Sequence, residues 1–285
     1  MKTVLEILTL STEYFTKLGF ANPRKQAIEL IGDALQTTPI DLYLQFDRPL
    51  EEAEIQKCRE NIKRRGAREP LQYIRGEVDF FDCRFKVTSA VLIPRNETEI
   101  LVDLIYQELS QLSLAGCQLW DICCGSGCIG ISLKKKFPDL QVYLSDFSEA
   151  ALQIAKANAE LNQVEVVFVQ GDLLQPFKGK QADFVVCNPP YVAESEWNSL
   201  EQEVKFEPKS ALIGGNDGLS FYRRLATELK NHLKPKAKAW LEIGANQGNS
   251  IQMLFEPDKV ASKWKVCRFA KDWSNRDRFF FLENE

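Results

Sequence analysis

The sequence predicts an α/β fold, a seven-stranded and mostly parallel sheet covered by helices, preceded by a small helical domain. Three observations lead there. From Gly116 onward, short runs rich in Val, Ile, Leu and Phe alternate with helical stretches, the pattern of a sheet buried on both faces. The first run ends in a glycine-bearing turn, Cys123-Cys124-Gly125-Ser126-Gly127, that leads directly into a helix. The fourth run, Ala182 to Cys187, stops at Asn188-Pro189-Pro190-Tyr191, where two prolines end a strand because proline donates no ladder hydrogen bond.

Taken in order, residues 1–75 read as the helical domain. Val4, Leu5, Leu8, Tyr14, Phe15 and Leu18 recur at near-helical spacing and Gly19 stops the run. Asn22-Pro23 reads as an N-cap and first-turn proline for a second helix carrying Ala27, Ile28, Ile31, Ala34 and Leu35. A third helix opens at Leu50-Glu51-Glu52 and runs toward Arg65, acidic at its start and basic at its end, as the helix dipole favours. The domain serves either as a structural cap or as a docking surface. Gly66 to Gly76 reads as a connector, and residues 76–95 as a β-hairpin and linker. The hairpin rests on the alternation of Val78 and Phe80 with Phe85 and Val87. Asn96 with Glu99 suggests an N-cap for a helix through Ile100, Leu101, Leu104 and Ile105.

Residues 96–285 form the main domain. Strands are expected near 117–122, 141–145, 164–169, 182–187, 238–243, 263–269 and 278–283, with helices near 128–137, 148–161, 219–232 and 247–256. No clear helix separates the last two strands, which suggests an antiparallel pair. Residues 192–217 read as a long connection without clear secondary structure, and Trp197, Phe206 and Pro208 suggest a lid.

Four strand ends carry chemistry. Glycines at the first turn let a ligand approach the backbone and meet helix N–H groups. Nineteen residues beyond Gly127, the second strand ends at Asp146, a carboxylate placed to hold a ribose diol as in Rossmann-like sheets. At the third, Asp172 could accept from an adenine amino group and Leu173 could cover the ring. At the fourth, the Asn188 carboxamide and the Pro189 carbonyl could grip an –NH2 group by both hydrogens while Tyr191 stacks on its flat face. Parallel sheets bind ligands outside their carboxyl edge, so these loops should converge.

Composition narrows the chemistry. Apolar content of 45% and charged content of 27% are those of a globular protein, and no apolar run approaches a membrane span. The formal charge of −4 argues against gripping long nucleic acid through its phosphates, although Lys63, Arg64, Arg65 and Arg68 form a local basic cluster. The start of the chain shows no signal pattern, so the eight cysteines are expected to be reduced thiols in the cytoplasm. No Cys-x-x-Cys pair suggests a metal. The single histidine, His232, lies between Lys230 and Lys234 and reads as solvated, so a histidine base is not expected.

The motif order Asp121-x-x-x-Gly125-x-Gly127, Asp146, Asp172 and Asn188-Pro189-Pro190-Tyr191 resembles class I S-adenosylmethionine-dependent methyltransferases acting on a planar nitrogen. Glu69 to Gly76, Leu92-Ile93-Pro94-Arg95-x-Glu97-Thr98-Glu99 and Phe206-Glu207-Pro208 narrow the resemblance to the HemK/PrmC family, over essentially the whole chain. That resemblance implies methylation of the glutamine side-chain amide in the Gly-Gly-Gln motif of class I peptide-chain release factors, in support of translation termination. It implies S-adenosylmethionine as methyl donor, S-adenosylhomocysteine as product, no metal and a monomer, with no direct nucleic-acid or membrane partner. The cofactor would meet Cys123, Cys124, Gly125, Ser126, Gly127, Asp146, Asp172, Leu173 and Asn188. The substrate amide would meet Asn188, Pro189, Pro190 and Tyr191. The helical domain would hold the release factor. The family usually carries glycine where this chain has Cys123, and a cysteine tolerates positive φ poorly. A methyltransferase for the exocyclic amino group of adenine or guanine would share Asn-Pro-Pro-Tyr, and a non-catalytic nucleoside-binding scaffold would share the glycine turn.

Overall fold

The computed structural model describes residues 2–256 and 264–285. By packing, the chain divides into two units, Met1–Gly76 with Glu201–Phe206, and Glu77–Leu200 with Glu207–Glu285.

The first unit is helical. Its helix α1 (Val4–Lys17) begins in a capping box between Thr3 and Glu6, and Gly19 at φ 70° turns the chain away after it. Helix α2 (Pro23–Leu35) opens on its proline; Asn22 holds the N-cap position, but in the left-handed region and with no side-chain bond to the helix. A short α3 (Pro39–Tyr43), capped by Thr38, went unread in the sequence. The acidic-to-basic helix is therefore the fourth, α4 (Glu52–Gly66). The expected connector instead contains α5 (Leu71–Arg75), entered from Pro70 and ended by Gly76 at φ 80°. Leu8, Phe15, Leu30, Ile31, Leu42 and Leu50 fill the core. The basic cluster is largely consumed within the unit. Arg64 pairs with Glu69, buried Arg65 is held by Gln26 and Glu203, and Arg68 donates to the Leu18 carbonyl over the Phe20 ring.

The second unit opens with the hairpin β1 (Glu77–Phe80) and β2 (Cys83–Lys86), turned through Phe81 and Asp82 at positive φ. In α6 (Asn96–Leu109) the N-cap is Arg95, so Asn96 is already helical. The Glu99 carboxylate accepts from the Phe81 N–H instead of closing a capping box. Strands and helices then alternate: β3 (Gln118–Ile122), α7 (Cys128–Lys136), β4 (Gln141–Asp146), α8 (Glu149–Leu161), β5 (Val167–Gln170) and β6 (Ala182–Cys187). After β6 come a short α9 (Lys209–Leu212), α10 (Ser220–Glu228), β7 (Leu233–Glu242), α11 (Gly248–Phe255), β8 (Trp264–Lys271) and β9 (Asp277–Asn284).

The seven-stranded sheet has the order β5-β4-β3-β6-β7-β9-β8. Its first five strands run parallel, and β9 lies antiparallel between β7 and β8. Alternate residues of β3 and β6 feed opposite faces. Leu119, Phe184 and Val186 enter one core, whereas Trp120, Ile122, Val185 and Cys187 enter the other. Strand boundaries shift modestly from expectation. β5 begins at Val167, and β7 begins five residues early at Leu233, across a register shift opposite Ala182 and Phe184. Lys263, at the expected start of β8, lies outside the described residues. The expected helix over 219–232 ends as α-helix at Glu228 and tightens into a 3-10 turn to His232. His232 is half-buried rather than solvated, with Nδ1 3.0 Å from the Glu228 carbonyl and its ring 6.4 Å from Trp120.

Helix α7 lies very close on the sheet. A Cβ at Gly130 would come within 2.4 Å of Leu144 and 3.0 Å of Asp121 Oδ2. The segment 192–217 is not structureless. It holds 3-10 turns over Glu194–Ser199 and Val204–Phe206 besides α9, pieces too short to show periodicity in sequence.

Candidate active site

The carboxyl ends of β3, β4, β5 and β6 open on one cavity of about 430 Å³, within the range of small-molecule sites. Cys123, Cys124, Gly125, Ser126, Asp146, Asp172, Leu173, Asn188 and Pro190 all contribute to its wall. Gly127, Pro189 and Tyr191 do not. Gly127 is the left-handed N-cap of α7, at φ 79°, and sits against Ile131 and Leu144.

Backbone bonds stitch the loops into one edge. Cys124 N–H donates to the Ser145 carbonyl at 3.0 Å and Gly171 N–H to the Asp146 carbonyl at 3.0 Å. The Asp146 carboxylate takes Gly125 N–H on Oδ2 at 2.8 Å and Ser148 N–H on Oδ1 at 2.9 Å. A carboxylate has about four lone-pair sites, so these bonds do not exhaust its capacity to accept from a diol. Burial pushes the Asp146 carboxyl up, and the Ser148, Gly125 and Phe147 N–H groups hold it back. Asp121, fully buried below the loop, accepts from Gly130 N–H at 2.9 Å through Oδ2.

Cys123 stands at φ 59°, so the residue that replaces the family's glycine does occupy the left-handed region. Its side chain adjoins Cys187, whose thiol is pushed up chiefly by burial. Leu173 is likewise left-handed at φ 50°. Asp172 is not open-handed: Arg224 holds its carboxylate in a two-pronged pair at 2.9 and 3.0 Å.

At the end of β6, Asn188 enters the cavity wall. Among the described residues no backbone N–H reaches the Pro189 carbonyl. Tyr191 is locked from outside, with its hydroxyl accepting from Arg278 at 2.8 Å and its carbonyl accepting from Gln247 Nε2 at 3.0 Å. Burial pushes the Tyr191 phenol up, which suits a packing platform better than an acid. Buried Glu207 accepts from Ile93 N–H at 3.0 Å and pairs with Arg95, so it fastens the 92–95 segment beside the cavity.

Several wall residues escaped sequence reading, Phe147, Phe221 and Arg224, and Thr98 entered it only inside a family motif with no site role. Phe147, 71% exposed directly after Asp146, had a usable signal, an aromatic placed where a strand has just ended. Arg224 had none, because its meeting with Asp172 spans 52 residues.

Sequence models of known families match both parts of the chain. The PrmC N-terminal domain matches residues 6–76, and the methyltransferase small domain matches residues 96–212. A solved T. thermophilus 16S rRNA methyltransferase, in complex with AdoMet and guanosine, superposes with a TM-score of 0.52 at 14% identity. That superposition covers 73% of this chain and 50% of the other, and it shares the fold. Among curated relatives, the release factor glutamine methyltransferase of Bacillus subtilis is 35% identical across 98% of this chain and 96% of its own. The protein of the same name from Chlamydia trachomatis serovar D is 40% identical across 98% of this chain and 94% of its own. With likeness of that extent running through both units, the chain belongs to the release factor glutamine methyltransferase family.

Proposed function

We propose that this protein transfers a methyl group from S-adenosylmethionine to the side-chain amide nitrogen of the glutamine in the Gly-Gly-Gln motif of peptide-chain release factors. The observation that carries the reading is the placement of Asn188 on the same cavity wall as Asp146 and the 123–126 turn. A nucleoside and a planar –NH2 group thus have adjoining seats.

The residues present fit the cofactor. A Cβ added to Gly125, at φ 54°, would meet nothing within 4 Å, so the turn leaves open space beside its backbone. The spare lone pairs of Asp146 suit a ribose diol, and Leu173 offers an apolar surface to a base. Asp172, already paired with Arg224, acts by fixing its loop more than by presenting a free carboxylate. When bound, S-adenosylmethionine supplies an electrophilic methyl on a sulfonium centre.

The protein's part is orientation. An amide nitrogen is a poor nucleophile because its lone pair is delocalised into the carbonyl. Asn188 Oδ1 and the Pro189 carbonyl, each accepting one N–H of the glutamine amide, would point that nitrogen's remaining electron density at the methyl. Positioning of this kind is worth about 7–11 kcal/mol at the favourable end. Tyr191, clamped by Arg278, backs the turn that carries Asn188 to the amide, and the amide proton leaves to water after transfer.

We assign the helical unit, residues 1–75, to holding the release factor, with 76–95 as hairpin connector and 96–285 as the catalytic domain. Among the described residues no helix is long and apolar enough to cross a membrane. A release-factor substrate places the work in the cytoplasm, and we take the protein to act as a monomer. Tritiated S-adenosylmethionine, offered with purified release factor and with nucleic acid in parallel, tests the reading. Label should appear on the Gly-Gly-Gln glutamine; label on nucleic acid alone would overturn it.

A further inference from the structure

Glu242, the last residue of β7, is fully buried, yet the sequence gives it no role. Its surroundings do. In the parallel pairing of β6 with β7, Val186 faces Trp240 and Cys187 faces Leu241. Asn188 and Glu242 are the next residues of the two segments, just past the last registered pair, and registered neighbours in a parallel sheet share a face. Thr98 of α6 reaches down to that face and donates its hydroxyl to Glu242 Oε2 at 2.7 Å. Both Thr98 and Asn188 border the cavity. The other oxygen, Glu242 Oε1, is buried and accepts no hydrogen bond among the described residues; Arg278 stands 3.9 Å from it. An orphan carboxylate oxygen in the interior is costly unless something donates to it.

Asn188 is the donor at hand. Burial pushes the Glu242 carboxyl up, while the Thr98 hydroxyl, the Arg278 charge and the Asn188 carboxamide oppose that rise; Glu97 adds to it. Thr98 already donates to Oε2 and Oε1 has lone pairs to fill, so the –NH2 end of the carboxamide is the end that can satisfy it. The other end, Oδ1, must then turn away from Glu242.

We propose that Glu242 is a positioning residue for methyl transfer: Oε1 takes an Nδ2–H of Asn188 and thereby presents Asn188 Oδ1 to the substrate amide. Without Glu242, a carboxamide is free to flip and offer –NH2 to –NH2, which leaves the substrate nitrogen without its orienting acceptor. The inference rests on the role of Asn188 given above. Thr98 fixes the carboxylate from one side, and Tyr222 fixes the strand itself by donating its hydroxyl to the Glu242 carbonyl at 2.7 Å.

The test is steady-state methylation of a release factor by the wild type, Glu242→Gln, Glu242→Met and Asn188→Ala, with KM for the release factor and calorimetric cofactor affinity measured alongside. Met fills the space of Glu without either oxygen. It should lower kcat about 100-fold, the scale of losing one group that orients or stabilises the reacting centre, at unchanged KM and cofactor affinity. Gln keeps a carbonyl for Asn188 and an amide for Thr98, so it should stay within about tenfold of wild type, roughly the worth of one hydrogen bond. Normal kcat in Glu242→Met, or a Gln variant as slow as Met, overturns the proposal. So does a loss shared equally by KM and cofactor affinity, which marks a merely structural part. If Glu242→Met does not fold, Thr98→Val decides: loosening Oε2 should lower kcat at constant KM, and unchanged kcat overturns the idea. An active Asn188→Ala protein would instead sink the role of Asn188 and identify that as the failed step.

Discussion

Asp146 Oδ2 accepts the Gly125 N–H at 2.8 Å, so the tip of β4 and the turn after β3 are one piece. The carboxylate thus shapes the loop as well as facing the cavity. Asp146→Ala should weaken S-adenosylmethionine by on the order of 1.5–3 kcal/mol, the scale of hydrogen bonds to a charged group. Calorimetric titration reads this directly. Wild-type affinity in the variant would remove Asp146 from the cofactor site.

Cys123 holds φ 59° where a side chain is strained by about 1–2 kcal/mol. Cys123→Gly relieves that strain but loosens the unfolded chain by about 0.4–1 kcal/mol. The net expectation is a small gain in stability with cofactor affinity retained. Urea denaturation measures the first and titration the second. A clear loss of stability would mean that the thiol's packing against Cys187 outweighs the backbone strain.

Burial pushes the Asp121 carboxyl up to about 7, with the Gly130 N–H pulling back and the Asp146 charge adding to the rise. The folded state therefore binds a proton that the unfolded state releases near pH 4. Below that pH both states hold it and nothing is lost. Between about 4 and 7 stability should fall as pH rises, and above 7 the full cost, on the order of 4 kcal/mol, should be present. Asp121→Asn keeps an acceptor for Gly130 and cannot ionise. The stability difference between variant and wild type should thus grow from pH 5 to pH 8 and then level off. A difference independent of pH would show that Asp121 does not titrate in this way.

On the helical unit, Ile40 is 76% and Leu44 82% exposed, apolar side chains with no core to enter. If that unit holds the release factor, the double change Ile40→Glu with Leu44→Glu should raise KM for the intact factor about tenfold, the effect of about 1.4 kcal/mol. Thermal stability and methylation of a short Gly-Gly-Gln peptide should barely move. Equal loss on peptide and protein would remove this surface from docking.

The sheet and the four loops at its edge were legible because their signals are local. Strand-length apolar runs, a glycine turn and a proline stop each occupy a handful of residues. What escaped was whatever depends on distant partners or on short turns. Asp172 looked available until Arg224 closed on it. Asn96 looked like a cap because Glu99 stood three residues away, yet Glu99 bonds the hairpin. The basic run around Arg65 looked like open surface, but Glu203 and Gln26, far off in sequence, absorb its buried member. Glu242 was unreadable alone, since its meaning comes from the register that sets it beside Asn188.

The close seating of α7 has a mechanical consequence. At Gly130 the helix has no side chain of its own, so its backbone sits directly on the Leu144 and Val142 side chains of β4. A helix start seated that closely leaves the turn over 123–126 little room to yield when a ligand enters or leaves. Breathing should then come from other lining segments, among them Pro208, Ala211, Ile213 and Phe221. Amide exchange around Gly130 should therefore stay slow with or without cofactor, while residues 208–213 slow only on binding; the reverse pattern would place the hinge in the turn.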